Sequence, residues 1–378
     1  MSPRSPVLLT PGPLTTSERT RQAATVDLGS WDGAFNDLTA HVCARLLAAS
    51  GATRQMRCVP MQGSGTFSVE ATLRTLVPVG SPVVVVVNGA YGRRIAAMAD
   101  QSGRPAIVCE GPWDRAPDHD QLDRVLAEHP TASHVAIVHC ETSTGLLNPV
   151  TALADVAERH RRRVLVDAMS SFGVLDPGID HPAVDAVIAA SGKCLEGLPG
   201  IGFVLLSPDA LERSVGNCDS LSLDLVDQRR YMDRTGQWRY TPPTHVVAAL
   251  SEALAQYDEE GGPAARLARY QANSDSLTDS LAPLGFRWFL EPDLRTPIIH
   301  TLHAPEHPNW SFDDLYHRVR DLGFILYPGK LTTEDTFRVG CIGAIDAPVL
   351  AAAGAAIGVA LGDMGISTPL NSTIGHPA

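Results

Sequence analysis

The sequence predicts an α/β protein, with a mostly parallel β-sheet covered by helices on both faces and a smaller α+β unit after it. Three observations carry this. Short β-rich runs alternate with helical stretches between about residues 66 and 206. Some of these runs are apolar throughout, as in the five valines at 83–87, which suits strands buried on both faces of a parallel sheet. Two runs stop at a charged residue: 163–167 reads Arg-Val-Leu-Val-Asp, and 185–193 reads Asp-Ala-Val-Ile-Ala-Ala-Ser-Gly-Lys. Such a pattern delivers Asp167 and Lys193 to the carboxyl ends of the strands, where open α/β sheets bind ligands.

Residues 1–20, rich in Pro, Thr and Ser, are expected to form an extended arm. Apolar residues at helical spacing predict a helix over 34–50. Strands are expected at 83–87, 105–109, 134–139, 163–167, 185–190 and 201–206, with helices at 66–77, 91–102, 118–128 and 150–161. The segment 245–280 reads as one or two long helices broken around Glu260-Gly261-Gly262-Pro263, and the domain boundary falls there. This gives an arm (1–20), a large domain (21–262) and a small domain (263–363). The small domain is expected to carry strands near 297–302, 324–327 and 336–341 and helices near 311–321 and 347–361. Residues 364–378 are expected to be disordered.

With 378 residues, 44% of them hydrophobic, the chain can bury a large core in two domains. A net charge of −12 without a long basic run argues against nucleic acid and membrane as partners. The one basic triplet, Arg161-Arg162-Arg163, sits at a helix end, where cations suit the helix dipole. Seven scattered cysteines with no Cys-x-x-Cys pair fit a reduced protein. The first six residues lack the apolar stretch of a secretory signal, and no run of about 20 apolar residues occurs. A cytoplasmic location is expected.

Asp167 and Lys193 together suit pyridoxal 5'-phosphate (PLP), because a lysine condenses with its aldehyde and an aspartate keeps its pyridine nitrogen protonated. Gln62-Gly63-Ser64-Gly65-Thr66 precedes a helix whose first N–H groups can close on a phosphate; Ser and Thr are also ordinary helix N-caps. A dinucleotide fingerprint fails here, because Ser68 stands where a third glycine is needed. A P-loop at Gly192-Lys193 fails at Val187 and Cys194. Tyr91, just past the valine run, can stack on a cofactor ring or simply pack on its loop. His139-Cys140-Glu141-Thr142 ends another strand. No metal is expected there, since neighbouring strand residues face opposite ways and His139 and Cys140 cannot easily share an ion. The Thr142 hydroxyl can reach the phenolic oxygen of PLP. Arg338, in Thr336-Phe337-Arg338-Val339-Gly340, offers a planar fork for a carboxylate or phosphonate, or else a surface ion pair.

These segments join Leu8-Leu9-Thr10-Pro11-Gly12-Pro13-Leu14, Gly29-Ser30-Trp31-Asp32, Lys193-Cys194 and Thr241-Pro242-Pro243-Thr244-His245 in a wider pattern. From about residue 7 to 362 the chain resembles the 2-aminoethylphosphonate–pyruvate transaminases, a branch of the class V aminotransferases. The Gly-Ser-Trp-Asp and His-Cys-Glu-Thr segments are most specific to the branch; the Pro-Gly-Pro start and the Arg-x-Gly strand are shared with alanine–glyoxylate transaminases. The resemblance implies the PLP-dependent transferase fold type I, with a mostly parallel seven-stranded sheet in the large domain. It implies Lys193 as the Schiff-base lysine and Asp167 as partner of the pyridine nitrogen. It further implies that Ser64, Gly65 and Thr66 hold the phosphate, Tyr91 stacks on the ring and Thr142 contacts the ring oxygen. Thr241 is expected at the phosphate of the neighbouring subunit's cofactor, hence a homodimer with active sites at the subunit interface. Arg338 is expected on the acidic group of the substrate.

The chain departs from the branch at three positions. Gly192 replaces the usual Asn or Gln before the lysine, so a contact near the phosphate is expected to be lost. Cys341 and Ala344 replace an Asn and an acidic residue beyond Arg338; both are expected close to that arginine, and the sequence leaves open whether they alter the donor. The activity implied is ping-pong transamination of 2-aminoethylphosphonate with pyruvate. The alternatives are alanine–glyoxylate or serine–pyruvate exchange, or a related aminophosphonate donor in phosphonate biosynthesis. A lyase or desulfurase on the same fold needs no keto acid; a desulfurase also needs a mobile nucleophilic Cys, whereas Cys341 falls on an expected strand. Asp167 and Lys193 argue against a non-catalytic Rossmann-like module.

Overall fold

The five valines at 83–87 are all buried, because they form a strand covered on both sides. Val84 and Val86 belong to one hydrophobic core, and Val83, Val85 and Val87 to another. The structure, a computed structural model, describes residues 5–331 and 334–370. The chain divides into two units. The larger comprises Thr16–Glu141 and Leu147–Arg266; the smaller takes the described parts of 1–15, 142–146 and 267–378. The described part of the expected arm up to Thr15 and the five residues after Glu141 thus join the smaller unit, and the division falls inside the helix Gly262–Leu281.

The larger unit is built on a seven-stranded sheet in the order Arg57–Gln62, Ile201–Leu206, Val184–Ala190, Arg163–Asp167, His134–Val138, Val83–Val87, Ala106–Glu110. Ile201–Leu206 runs antiparallel to both neighbours; the other pairings are parallel. Six of these strands match expectation to within a residue or so. The seventh, Arg57–Gln62, has one β-branched residue and a proline in its middle, so it carries little strand signal. It is an edge strand paired only with Ile201–Leu206, a place where the missing N–H of Pro60 is tolerated.

Helices Gly33–Ala49, His119–Glu128, Val150–Arg159 and Thr244–Glu260 contribute to the first core. Gly65–Leu76 and Ala90–Gln101 contribute to the second. The long helical segment breaks where Gly261 adopts φ +111, a left-handed conformation that glycine takes without strain. Helices Glu18–Ala23, Pro208–Arg213 and Leu225–Thr235 add to those expected. The first of these corrects the extended arm, since Ser17 caps a helix from within residues 1–20.

In the smaller unit, Ile299–His303, Thr336–Gly340 and Tyr327–Pro328 form an antiparallel sheet, and Val7–Leu8 pairs in parallel with Phe324–Ile325. Helices Phe312–Asp321 and Ala347–Asp363 pack with this sheet around a third core. The disordered tail is corrected for residues 364–370. Met364 and Ile366 are buried in that core, and the Leu370 N–H donates to the Leu284 carbonyl at 2.8 Å. Residues 371–378 lie outside the described residues.

Candidate active site

In the larger unit the sequence-predicted residues gather at one edge of the sheet. Arg57–Gln62 runs in the same direction as the parallel strands, because it and Val184–Ala190 both oppose Ile201–Leu206. The carboxyl ends of five strands therefore share an edge. They lead into Ser64–Thr66, Gly89–Tyr91, His139–Glu141, Asp167 and Lys193.

Asp167 closes the central strand and is buried, with Oδ1 accepting the Met169 N–H at 3.0 Å. Burial pushes its carboxyl up to about 6; the Met169 N–H opposes this, the Glu141 charge adds to it, and Lys193 and Arg94 oppose it. A carboxyl so placed is fully ionised at neutral pH only at a cost in solvation, which a cation facing it offsets. A protonated pyridine nitrogen is such a cation.

The helix Gly65–Leu76 begins at Ser64 without a side-chain capping bond, so its first N–H groups point out of the sheet edge without a serine oxygen on them. A Cβ at Gly65 would overlap Met169, two residues after Asp167. The helix start is therefore pressed against the segment that follows Asp167, and only glycine lets the backbone come this close. An uncapped N-terminus of a 12-residue helix beside a buried carboxyl fits the phosphate and ring nitrogen of PLP.

Lys193 lies in a turn after Val184–Ala190. The Glu196 N–H donates to the Lys193 carbonyl at 2.8 Å, and Glu196 is held at φ +58. Behind the turn is Arg266, 2% exposed. Its Nη1 donates to the Cys194 carbonyl at 2.6 Å and lies 3.4 Å from Glu196 Oε1, its Nε lies 2.6 Å from Glu260 Oε2, and its guanidinium sits over the Tyr257 ring. Nothing in the local sequence ties Arg266 to the Lys193 turn, since Cys194 and Glu196 are about 70 residues away. Gly192 has little space beside it: a Cβ would stand 3.1 Å from Pro199 Cα and N.

Tyr91 is half-buried on the first turn of Ala90–Gln101, with the Arg94 guanidinium 4.9 Å from its ring centre. The Glu141 carboxylate accepts the Tyr91 N–H at 3.1 Å and the Gly92 N–H at 3.3 Å. Sequence reasoning weighed Glu141 only as a metal ligand. Burial holds His139 neutral, with its pKa lowered to about 4, and its Nδ1 lies 2.8 Å from Ser171 Oγ. Among the described residues one cluster, Asp155, Glu158 and His181, has metal-ligand proximity. His181 Nδ1 accepts the Ala183 N–H, so neutral His181 carries its proton on Nε2, facing Asp155 Oδ1 at 3.1 Å, and offers no lone pair to an ion there. Thr241 is exposed in the loop before Thr244–Glu260.

Thr142 and Arg338 belong to the smaller unit and meet there. Arg338 is buried; its Nη1 donates to the Thr142 carbonyl at 2.7 Å, its Nε to the Pro328 carbonyl at 2.9 Å, and the Tyr327 ring lies 4.9 Å from its guanidinium carbon. Cys341, expected close to Arg338, does not share its face of the strand. Phe337, Val339 and Cys341 all enter the third core, the side of the strand opposite to Arg338. Ala344 is tied by its N–H to the Thr15 carbonyl at 2.8 Å.

The family model described as aminotransferase class-V matches residues 46–309. A 2-aminoethylphosphonate–pyruvate transaminase from Pseudomonas aeruginosa is 57% identical over 363 residues, 96% of this chain and 97% of the relative. One from Pseudomonas entomophila is 54% identical over 95% of this chain and 98% of the relative. Among solved structures, an alanine–glyoxylate aminotransferase from Nostoc sp. superposes with a TM-score of 0.88 at 26% identity, over 96% of each chain. A pyridoxamine–pyruvate aminotransferase from Mesorhizobium loti gives 0.88 at 24% identity, over 97% of this chain and 95% of that one, a likeness of fold.

Proposed function

The chain belongs to the class V aminotransferases, and from that premise we propose that it moves the amino group of 2-aminoethylphosphonate to pyruvate, giving phosphonoacetaldehyde and L-alanine. Class V aminotransferases use PLP. The observation that carries the chemistry is Asp167, a buried carboxyl at a strand end under the influence of Lys193. The donor is supported by relatives of that name that match nearly the whole chain.

Bound at this edge, PLP supplies a carbonyl for the donor amine and a protonated ring that disperses carbanion charge. Asp167 keeps the proton on the ring nitrogen. The N–H groups at Ser64, Gly65 and Thr66 would hold the phosphate, with Tyr91 as the aromatic partner of the ring and the Thr142 hydroxyl as a donor to its oxygen. Lys193 Nζ takes a proton from the amine-bearing carbon of the donor, and in the return half reaction delivers one to the α-carbon that becomes alanine. The Arg338 guanidinium binds the phosphonate and then the pyruvate carboxylate, both anions matched by its planar fork. One cation serving both makes donor and acceptor alternate, which is ping-pong kinetics. The working form is a cytoplasmic homodimer, with Thr241 reaching the phosphate held by the neighbouring subunit.

The test is to add 2-aminoethylphosphonate to the PLP-loaded protein without any keto acid and follow the cofactor absorbance. Conversion to the pyridoxamine spectrum, reversed by pyruvate, is expected. Conversion by alanine or serine alone would overturn the donor and leave an alanine–glyoxylate or serine–pyruvate type of exchange.

A further inference from the structure

The helix Ala90–Gln101 carries Tyr91 on its first turn, and its own sequence provides no cap: the residue before it is Gly89, with extended backbone at φ 175. A local cap would be Ser, Thr, Asp or Asn at that position. Instead, the buried carboxylate of Glu141 sits on the Tyr91 and Gly92 N–H groups, at 3.1 and 3.3 Å. Gly89 is shaped for it, since a Cβ there would overlap Glu141 Cγ and Cδ. Glu141 follows the strand His134–Val138, whose last residue pairs with Asp167; the next N–H, from His139, donates to the Asp167 carbonyl at 2.8 Å. The cap thus ties the start of the Tyr91 helix to the strand end beside Asp167.

We infer that Glu141 is a positioning residue of this site: it fixes the first turn that presents Tyr91, and it places a negative charge beside Asp167 against the positive charges of Lys193 and Arg94. The inference rests on reading this edge as the PLP site. A carboxylate on helix N–H groups is stabilised by the dipole and by the two donors. The groups acting on the Asp167 carboxyl are the Met169 N–H, Glu141, Lys193 and Arg94. Of these, Glu141 is the one that raises the proton affinity of Asp167. A more basic Asp167 shares a proton more strongly with the ring nitrogen.

Two substitutions separate the roles in the PLP-loaded full chain. Glu141→Gln keeps an oxygen acceptor and removes the charge; Glu141→Ala removes both. Amide hydrogen exchange at Tyr91 and Gly92 is expected to stay near wild type in E141Q and to rise about tenfold or more in E141A. In the same chains stripped of cofactor, the acid limb of the stability–pH curve, the window in which Asp167 titrates, is expected to move down by about half to one pH unit in E141Q, because losing the negative neighbour lowers the Asp167 pKa. A filler of the fold would lower thermal stability in both variants and leave the acid limb where it is. Unchanged exchange in E141A, or an unmoved limb in E141Q, overturns the inference. Should E141A not fold, Glu141→Asp, one methylene too short to reach the two N–H groups, replaces it. If wild type itself retains no PLP, the reading of the site fails instead, while the exchange comparison still judges the positioning role.

Discussion

Burial pushes the Asp167 carboxyl up to about 6, so between about pH 4 and 6 the cofactor-stripped folded protein holds a proton that the unfolded chain has released. More protons on the folded state mean that stability falls as pH rises through this window. The loss is up to roughly 3 kcal/mol, about two pH units at about 1.4 kcal/mol each. Asp167→Asn should flatten this part of the curve. Urea unfolding of stripped wild type and D167N at several pH values checks it, and parallel curves would refute it. Gly192 is a second residue-scale case. With Pro199 backbone 3.1 Å from a Cβ there, Gly192→Asn should cost about 1–3 kcal/mol by overpacking and bring no tighter PLP binding. Calorimetry and a PLP titration read both; tighter binding at unchanged Tm would mean that the lost phosphate contact had been restored. Arg266 holds two carboxylates and the Cys194 carbonyl from behind the Lys193 turn. Arg266→Met should therefore cost about 3 kcal/mol, since both acids lose their buried cation. A Tm within a degree of wild type would contradict it.

Strand alternation decides which substitutions near Arg338 can touch substrate. Arg338 and Cys341 are three apart, so their side chains fall on opposite faces, and Cys341 lies in the third core. Cys341→Val, similar in volume and apolar, should cost less than about 1.5 kcal/mol, and the KM for 2-aminoethylphosphonate should not move. Steady-state kinetics check this; a large KM change would put Cys341 back in the pocket. Alternation was readable in the sequence, but its outcome was not. The same parity is compatible with either face being the core, and only the packing of Phe337 and Val339 against Leu302, Leu315 and Leu350 chooses. The strand Arg57–Gln62 was missed for a related reason: its edge pairing with Ile201–Leu206, rather than its residues, makes it a strand.

At the scale of the whole molecule, the larger unit leaves Trp31 81%, Leu221 75%, Val26 56% and Phe67 52% exposed. A subunit interface would cover exposed apolar groups of this size. With the dimer proposed above, Trp31→Ser with Leu221→Ser should shift the sedimentation coefficient from dimer towards monomer. A wild-type monomer would refute the dimer, and an unshifted double variant would place its interface elsewhere. Among the described residues no helix is long and apolar enough to cross a membrane.

The sequence by itself determined the α/β class, most strands and helices, and the line of residues at the strand ends from Ser64 to Lys193. These follow from local rules, the periodicity of apolar residues and the turn chemistry of glycine, which act over a few residues. The tertiary structure alone decided that Glu141 caps the Tyr91 helix, that Arg266 backs the Lys193 turn and that Cys341 faces a core. It also decided that residues 364–370 pack. Each of these joins groups tens of residues apart, and a buried charge or an N–H left at a helix start takes whichever partner the fold brings near, which no local pattern encodes.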